Sequence, residues 1–373
     1  MKVAIILGTR PEIIKMAPVI HACQKEEVPF FIIHTGQHYD IMMDAVFFQE
    51  LQLRHTLHNL NIGSGTHGEM TAKMIMGIEK ILVGEKPDVV LVQGDTDTVL
   101  AGALASAKVH IPIGHVEAGL RSFDRRLPEE YNRIICDHMS DYLFAPTQTA
   151  KENLQREGIA SQGILYERGE GFQSIFVTGN TIVDAILQNK ERIDQSRILE
   201  HLNLEKSSYF LVTLHREETV DHKDRLKSVL EGLKAIINSY KMPIIFPIHP
   251  RTVNRLKEFN LLDQAEKIHG LQIISPLGFL DIMSLESNAK LVLTDSGGIQ
   301  EEACCFKVPC VVLRERSDRP ESIEAGAAIL AGCNAEKILI AVQTMLQRKN
   351  GWENPFGDGH AGENIIKILT RFH

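Results

Sequence analysis

A chain of 373 residues has room for two domains of ordinary size. Apolar residues make up 44% and charged residues 24%, the balance of a soluble globular protein. A net charge of −8 argues against broad binding to nucleic acid or an anionic membrane, although a local basic pocket for phosphate stays compatible with it. No stretch reaches membrane-span length, and the start Met1-Lys2-Val3-Ala4-Ile5-Ile6-Leu7 is too short for a signal peptide. The six cysteines (Cys23, Cys136, Cys304, Cys305, Cys310 and Cys333) form no C-x-x-C pair. They read as reduced core residues without a metal or disulfide role, which implies a cytoplasmic location.

Short apolar runs alternate with helical patterns from the first residues. Val3 to Leu7 reads as a buried strand, and Pro11 fits the first turn of a helix running to about Gln24. Further strands are expected at Phe30 to His34, Val89 to Val92, Ile111 to Val116 and Tyr142 to Ala145. Helices are expected at Glu69 to Val83, Asp97 to Lys108 and Pro128 to Met139. Near-continuous apolar strands separated by helices predict a parallel sheet covered on both faces. Residues 158 to 175 interrupt the rhythm with Gly158, Gly163, Gly169 and Gly171 among charges. The pattern restarts with strands at Tyr209 to Leu214, Ile244 to Ile248, Leu271 to Ile274, Leu291 to Leu293 and Val311 to Leu313. A turn-rich stretch, 351 to 359, precedes a last helix at about Glu363 to Thr370. The expected architecture is two Rossmann-like, doubly wound parallel-sheet domains, 1–170 and 171–359. The segment 360–373 is expected to pack back on the first. In such sheets ligands bind beyond the carboxyl ends of the strands, so the cleft between the domains is the expected active site.

The most informative stretch is Thr294-Asp295-Ser296-Gly297-Gly298-Ile299-Gln300-Glu301-Glu302. A strand ends there, two glycines follow, and a helix begins. Free N–H groups and the helix dipole at such a start favour a phosphate. Glu302, one turn on, could accept hydrogen bonds from an attached ribose. The plain alternative is an ordinary turn with Ser296 as N-cap. In the first half, Arg10 and Lys15 place two cations near a positive helix end, which suits an anionic ligand. Asp95 follows one core strand and Glu117 the next, while Glu129 and Arg133 stand four apart on a helix. Asp95 could instead be an N-cap, and Glu129 with Arg133 a plain ion pair. Together they form a carboxylate set beside cations, suited to acid–base work on an anionic substrate. His215 follows a strand of the second half, and His249-Pro250-Arg251 the next. The literal G-x-G-x-x-G at Gly63 to Gly68 follows only a weak apolar stretch, so it reads as a loop capping the next helix and not as a dinucleotide site.

These motifs in combination resemble the non-hydrolysing UDP-N-acetylglucosamine 2-epimerases over almost the whole chain. They are GTRPE at the start, TGQHYD from Thr35, QGDT from Gln93, HVEAGLRS from His115, PEEYNR from Pro128, HREE from His215 and TDSGGIQEE from Thr294. The resemblance implies the GT-B-type arrangement of nucleotide-sugar glycosyltransferases, a UDP-sugar substrate and a homodimer. It puts the diphosphate on Ser296, Gly297, Gly298 and Arg10, and the ribose on Glu302. The uracil falls to the segment Leu277 to Ile282, which includes Phe279, largely through backbone, and Arg319 also matches a ligand position. Lys15, Asp95, Glu117, Glu129, Arg133 and His215 match the sugar pocket. Lys73 stands where bacterial members carry an arginine associated with activation by a second substrate molecule. His249-Pro250-Arg251-Thr252 also resembles a branch acting on other UDP-2-acetamido sugars. Epimerisation at C2 by elimination and re-addition of UDP needs no metal and no nicotinamide. A hydrolysing epimerase and a glycosyltransferase on the same scaffold are the alternatives.

Overall fold

The computed structural model describes residues 1–36, 48–51, 53, 57–63, 65–159 and 173–372. Gln37 to Asp40 of the Thr35 motif, Ser64, and Gly163, Gly169 and Gly171 of the interrupting stretch lie outside the described residues. The chain divides into two compact units, Met1–Gln188 with Phe356–His373, and Asn189–Pro355.

The first unit holds a seven-stranded parallel sheet in the order β3-β2-β1-β4-β5-β6-β7. Its strands are β1 (Val3–Leu7), β2 (Phe30–His34), β3 (Leu57–Asn59), β4 (Val89–Gln93), β5 (Ile113–Val116), β6 (Tyr142–Ala145) and β7 (Ser174–Val177). The helices of eight residues or more are α1 (Arg10–Lys25), α2 (His67–Glu85), α3 (Asp97–Lys108), α4 (Pro128–Met139), α5 (Gln148–Arg156) and α6 (Thr181–Gln188). Every residue of β1, β4 and β5 is buried, because helices cover both faces of the sheet. Ile111 and Pro112 fall outside β5: a proline has no N–H for the ladder, and the strand starts after it. The loop before α2 is a capping loop, as expected. Thr66 accepts from the Glu69 N–H at 3.3 Å, and the Glu69 carboxylate accepts from the Thr66 N–H at 3.1 Å. The division falls after Gln188 and not near residue 170, because β7 pairs with β6 and α6 packs on α1.

The second unit holds a six-stranded parallel sheet in the order β10-β9-β8-β11-β12-β13. These are β8 (Phe210–Thr213), β9 (Ile244–Pro247), β10 (Leu271–Ile274), β11 (Leu291–Thr294), β12 (Cys310–Val312) and β13 (Ala328–Leu330). Its longer helices are α7 (Lys223–Tyr240), α8 (Pro250–Glu258), α9 (Phe279–Asn288), α10 (Gly297–Cys305) and α11 (Ala335–Gln347). Two apolar clusters cover the sheet, one around Leu226, Leu233 and Val342, the other around Tyr209, Leu285 and Ala303. The last helix, α12 (Ala361–Phe372), belongs to the first unit, where it packs on α1 and α6. The Gly362 N–H donates to Asp184 of α6 at 2.8 Å.

Both sheets reverse their strand order between two central strands, β1 and β4 in one, β8 and β11 in the other. Connections leave in opposite directions at such a point, and a crevice opens beyond the carboxyl ends of the strands. The motif residues follow these strands. No helix among the described residues is long and apolar enough to cross a membrane.

Candidate active site

In the first unit, the turns after β1, β4 and β5 are tied together by buried polar groups. Glu12, in the first turn of α1, accepts from the N–H groups of Gly8 (2.9 Å) and Thr9 (2.6 Å) and from the Thr96 hydroxyl (2.7 Å). Burial pushes its carboxyl up to about 7 against the pull of those bonds. One residue before the turn after β4, Gln93 donates to Glu117 Oε2 at 2.6 Å. Lys15 Nζ reaches the same oxygen at 2.6 Å. Lys15 and Glu117 are both buried, and Glu117 has a left-handed backbone with φ of 74°. That strained conformation turns the glutamate out of line with β5.

Asp95 is not the cap of α3. Thr96 is, its hydroxyl accepting from the Val99 N–H at 3.4 Å. The Asp95 carboxylate instead pairs with the buried Arg133 guanidinium, which also contacts Glu130 at 3.1 Å. Glu130 is held in turn by Ser122 and Phe123 N–H groups at 3.0 and 2.9 Å. Asn132 donates to the Asp95 carbonyl at 2.9 Å. Asp95, Glu117, Lys15 and Arg133 therefore share one sheet edge. Glu129, half-exposed, and Arg10 open α4 and α1 at that edge.

Beneath them lies His115. It donates to Asp137 at 2.6 Å and to the Gly94 carbonyl at 2.8 Å, with both side chains fully buried. Burial works against a charge there, yet Cys136 and Asp137 hold the imidazole pKa well above its ordinary value. Asp137 also receives Arg121 at 2.7 Å and the Gly119 N–H at 3.1 Å. This network fixes the loops carrying Asp95 and Glu117. A histidine and an aspartate 22 residues apart carry no signal in sequence that would pair them.

In the second unit, the buried Asp295 at the end of β11 accepts from the His215 N–H at 3.1 Å and the Arg216 N–H at 3.0 Å. The turn after β8 is thus braced by the turn that opens α10. The His215 ring lies 5.8 Å from that of His249, and burial pushes its pKa down to about 4, so it is neutral. Ser296 is the N-cap of α10 by position but its side chain makes no capping bond. With no acid in the first turn and Gly297 and Gly298 without side chains, the helix start can receive an anion.

Arg319 lies beside that turn, near where a Gly297 side chain would begin, and pairs with Glu301 and with Asp318 at 2.9 Å. Arg314, which sequence reasoning missed, pairs with Glu218 at 2.5 Å and Asp318 at 3.1 Å. Leu277 and Ile282 are half-buried against the apolar cluster. Phe279 is wholly buried, so its ring belongs to the core and it can offer a ligand only its backbone.

The geometry is thus a set of paired carboxylates on one unit and a glycine-rich helix start on the other. The family model described as UDP-N-acetylglucosamine 2-epimerase matches residues 21–370. The UDP-N-acetylglucosamine 2-epimerase of Methanocaldococcus jannaschii is 56% identical over 373 residues, 99% of this chain and 99% of the relative. A crystal structure of the UDP-GlcNAc 2-epimerase of that organism, in complex with UDP-GlcNAc and UDP, matches with a TM-score of 0.91 at 56% identity over 100% of both chains. The UDP-2,3-diacetamido-2,3-dideoxy-D-glucuronate 2-epimerase of Pseudomonas aeruginosa is 39% identical over 374 residues, 100% of each chain. Matched end to end by relatives that carry this name, and by the family model over nearly its whole length, the chain belongs to the UDP-N-acetylglucosamine 2-epimerase family.

Proposed function

We propose that this protein interconverts UDP-N-acetylglucosamine and UDP-N-acetylmannosamine by eliminating and re-adding UDP. The observation that carries the reading is the pair of carboxylates, Asp95 and Glu117, each held by a buried cation at one sheet edge. The C2 proton of the sugar is not next to a carbonyl, so removing it alone is unfavourable. Elimination solves this. A carboxylate takes the C2 proton while the C1–O bond breaks, its electron pair leaving with the diphosphate and the C–H pair forming the C1=C2 bond of a 2-acetamidoglucal. Re-addition returns a proton to the other face of C2 as a diphosphate oxygen bonds to C1.

In this reading Asp95, Glu117 and Glu129 supply the acid–base groups. Lys15 and Arg133 hold them, and Arg10 with neutral His215 helps stabilise the departing diphosphate. The second unit grips the nucleotide: phosphates on Ser296, Gly297 and Gly298, ribose on Glu302, uracil along Leu277, Phe279 and Ile282, with Arg319 bracing the turn. The reaction consumes no cofactor. We place the protein in the cytoplasm as a homodimer supplying glycan assembly. The six unpaired cysteines fit a reducing compartment, and Met76 and Val83, 73% and 57% exposed on α2, fit a buried face between copies.

A related UDP-2-acetamido sugar as substrate is the second reading, favoured by the P. aeruginosa relative. The deciding experiment is incubation with UDP-N-acetylglucosamine in D₂O, followed by NMR. Deuterium at C2 of UDP-N-acetylmannosamine is expected. Free sugar with UDP would mean hydrolysis, and unchanged substrate would mean a different sugar. Asp95→Asn and Glu117→Gln should each slow turnover about 10²–10⁴-fold while UDP still binds. Near-normal rates in both variants would overturn the mechanism.

A further inference from the structure

Glu286 stands in the last turn of α9, near Tyr209 and Cys310 of the apolar cluster, and is 0% exposed. No part of the proposed chemistry uses it. An unpaired glutamate in an apolar cluster is costly and calls for an explanation. Neither of its carboxyl oxygens meets an N–H or hydroxyl donor. The group it hydrogen-bonds is the carboxyl of Glu302 on α10.

Two ionised carboxylates are both acceptors and cannot bond to each other, so this contact requires a proton. The other ionisable side chains facing Glu286 are Tyr209 and Cys310, and Cys305 lies near Glu302. Burial holds these three neutral, so Glu286 meets no positive charge. Two negative charges in contact in such a place cannot both persist, and the pair keeps one proton and one charge. Glu286 is the deeper member, at 0% exposure against 8% for Glu302. Burial first, and Glu302 second, push its carboxyl well above the usual range. The proton therefore rests on Glu286 and the charge on Glu302, whose other edge approaches Gly298, with Oε1 3.8 Å from where a side chain there would begin.

We propose that Glu286 is a positioning residue for nucleotide binding: its protonated carboxyl donates to Glu302 and holds that carboxylate toward the ribose hydroxyls. This rests on the assignment of Glu302 to the ribose. With its inner oxygen satisfied from below, Glu302 offers its outer oxygen in one fixed orientation. When alkali removes the shared proton, the two carboxylates repel and the orientation is lost.

The test is calorimetric binding of UDP and of 2′,3′-dideoxy-UDP, from pH 7 to about 9, a range that spans documented values for buried glutamates. Wild type should prefer UDP by roughly 10-fold or more, the size of a hydrogen bond to a charged group. Glu286→Leu should lose most of that preference through weaker UDP binding. Glu286→Gln presents a permanent N–H where the acid presents O–H, so it should keep the preference and lose less UDP affinity in alkali than wild type. A folded Glu286→Leu with unchanged preference overturns the proposal. If that variant does not fold, Glu286→Gln decides: an alkaline loss equal to that of wild type overturns it. Wild type that binds UDP without preferring it to the dideoxy analogue removes the ribose assignment beneath the proposal. Wild type that does not bind UDP removes the wider reading as well.

Discussion

Lys15→Met tests the buried ion pair on which the first unit's site is built. Lys15 Nζ lies 2.6 Å from Glu117 Oε2, and the two side chains are 7% and 6% exposed. Removing one member of such a pair leaves an uncompensated charge and costs about 3–5 kcal/mol. An independent route gives a similar figure. A buried carboxylate deprived of its cation takes up a proton, and for a glutamate of ordinary acidity this costs about 3.7 kcal/mol at pH 7. The loss should therefore lie near 4 kcal/mol at pH 7 and shrink to about 1 kcal/mol at pH 5, where protonation is nearly free. For a unit of this size that is a fall in Tm of roughly 10 °C at pH 7. Gln93 still donates to Glu117 at 2.6 Å and softens the effect. In Lys15→Met/Glu117→Gln no charge is stranded, and Tm should recover most of the difference while activity stays lost. Thermal unfolding of wild type and the two variants at pH 7 and pH 5 reads all of this. A single variant within 2 °C of wild type at pH 7, or a deficit that ignores pH, would refute the argument (2 °C corresponds to about 0.5–1 kcal/mol).

Two further predictions concern the second unit. A side chain at Gly298 would meet nothing closer than 3.8 Å, so Gly298→Ala should fold with unchanged Tm. It should nonetheless weaken UDP at least about 10-fold by calorimetry, because its methyl occupies the approach to the helix N–H groups; equal affinity removes the phosphate from this turn. His215 is neutral in the fold, with a pKa pushed down to about 4 chiefly by burial. Its share of stability is thus complete above about pH 6.5 and is lost as pH falls toward about 4. His215→Gln should flatten that acid-side decline in Tm, and identical slopes in the two proteins would count against a neutral ring.

The central strands were legible because burial on both faces writes an unbroken apolar run. β1, β2 and β6 have the bounds that such runs predict, and Pro128 and Asp97 mark the starts of α4 and α3. The edge strands β3, β7 and β13 were not legible. They are three or four residues long and partly exposed, so no apolar run marks them. The same physics divides the site. Asp95 and Glu117 stand out because an acid directly after an apolar strand is conspicuous. Gln93, His115, Asp137 and Asp295 do not, since their meaning lies in partners 18 to 80 residues away. Glu286 is the extreme case. Within Leu-Glu-Ser-Asn it reads as an ordinary helical acid, and only burial against Glu302 reveals it.

The two units meet charge in different ways, and the difference fits what the proposed function asks each to hold. The proposed diphosphate arrives with its own negative charge, so its site needs donors and no acid in their way. It supplies backbone N–H groups at Gly297 and Gly298, and it spends the buried Asp295 on bracing the His215 turn. In the proposed elimination a proton taken from carbon neutralises the carboxylate that accepts it. The first unit keeps each carboxylate against a fixed cation, Glu117 on Lys15 and Asp95 on Arg133. For the proposed proton transfer a carboxylate must be ionised, and a cation held beside a buried carboxylate favours that form.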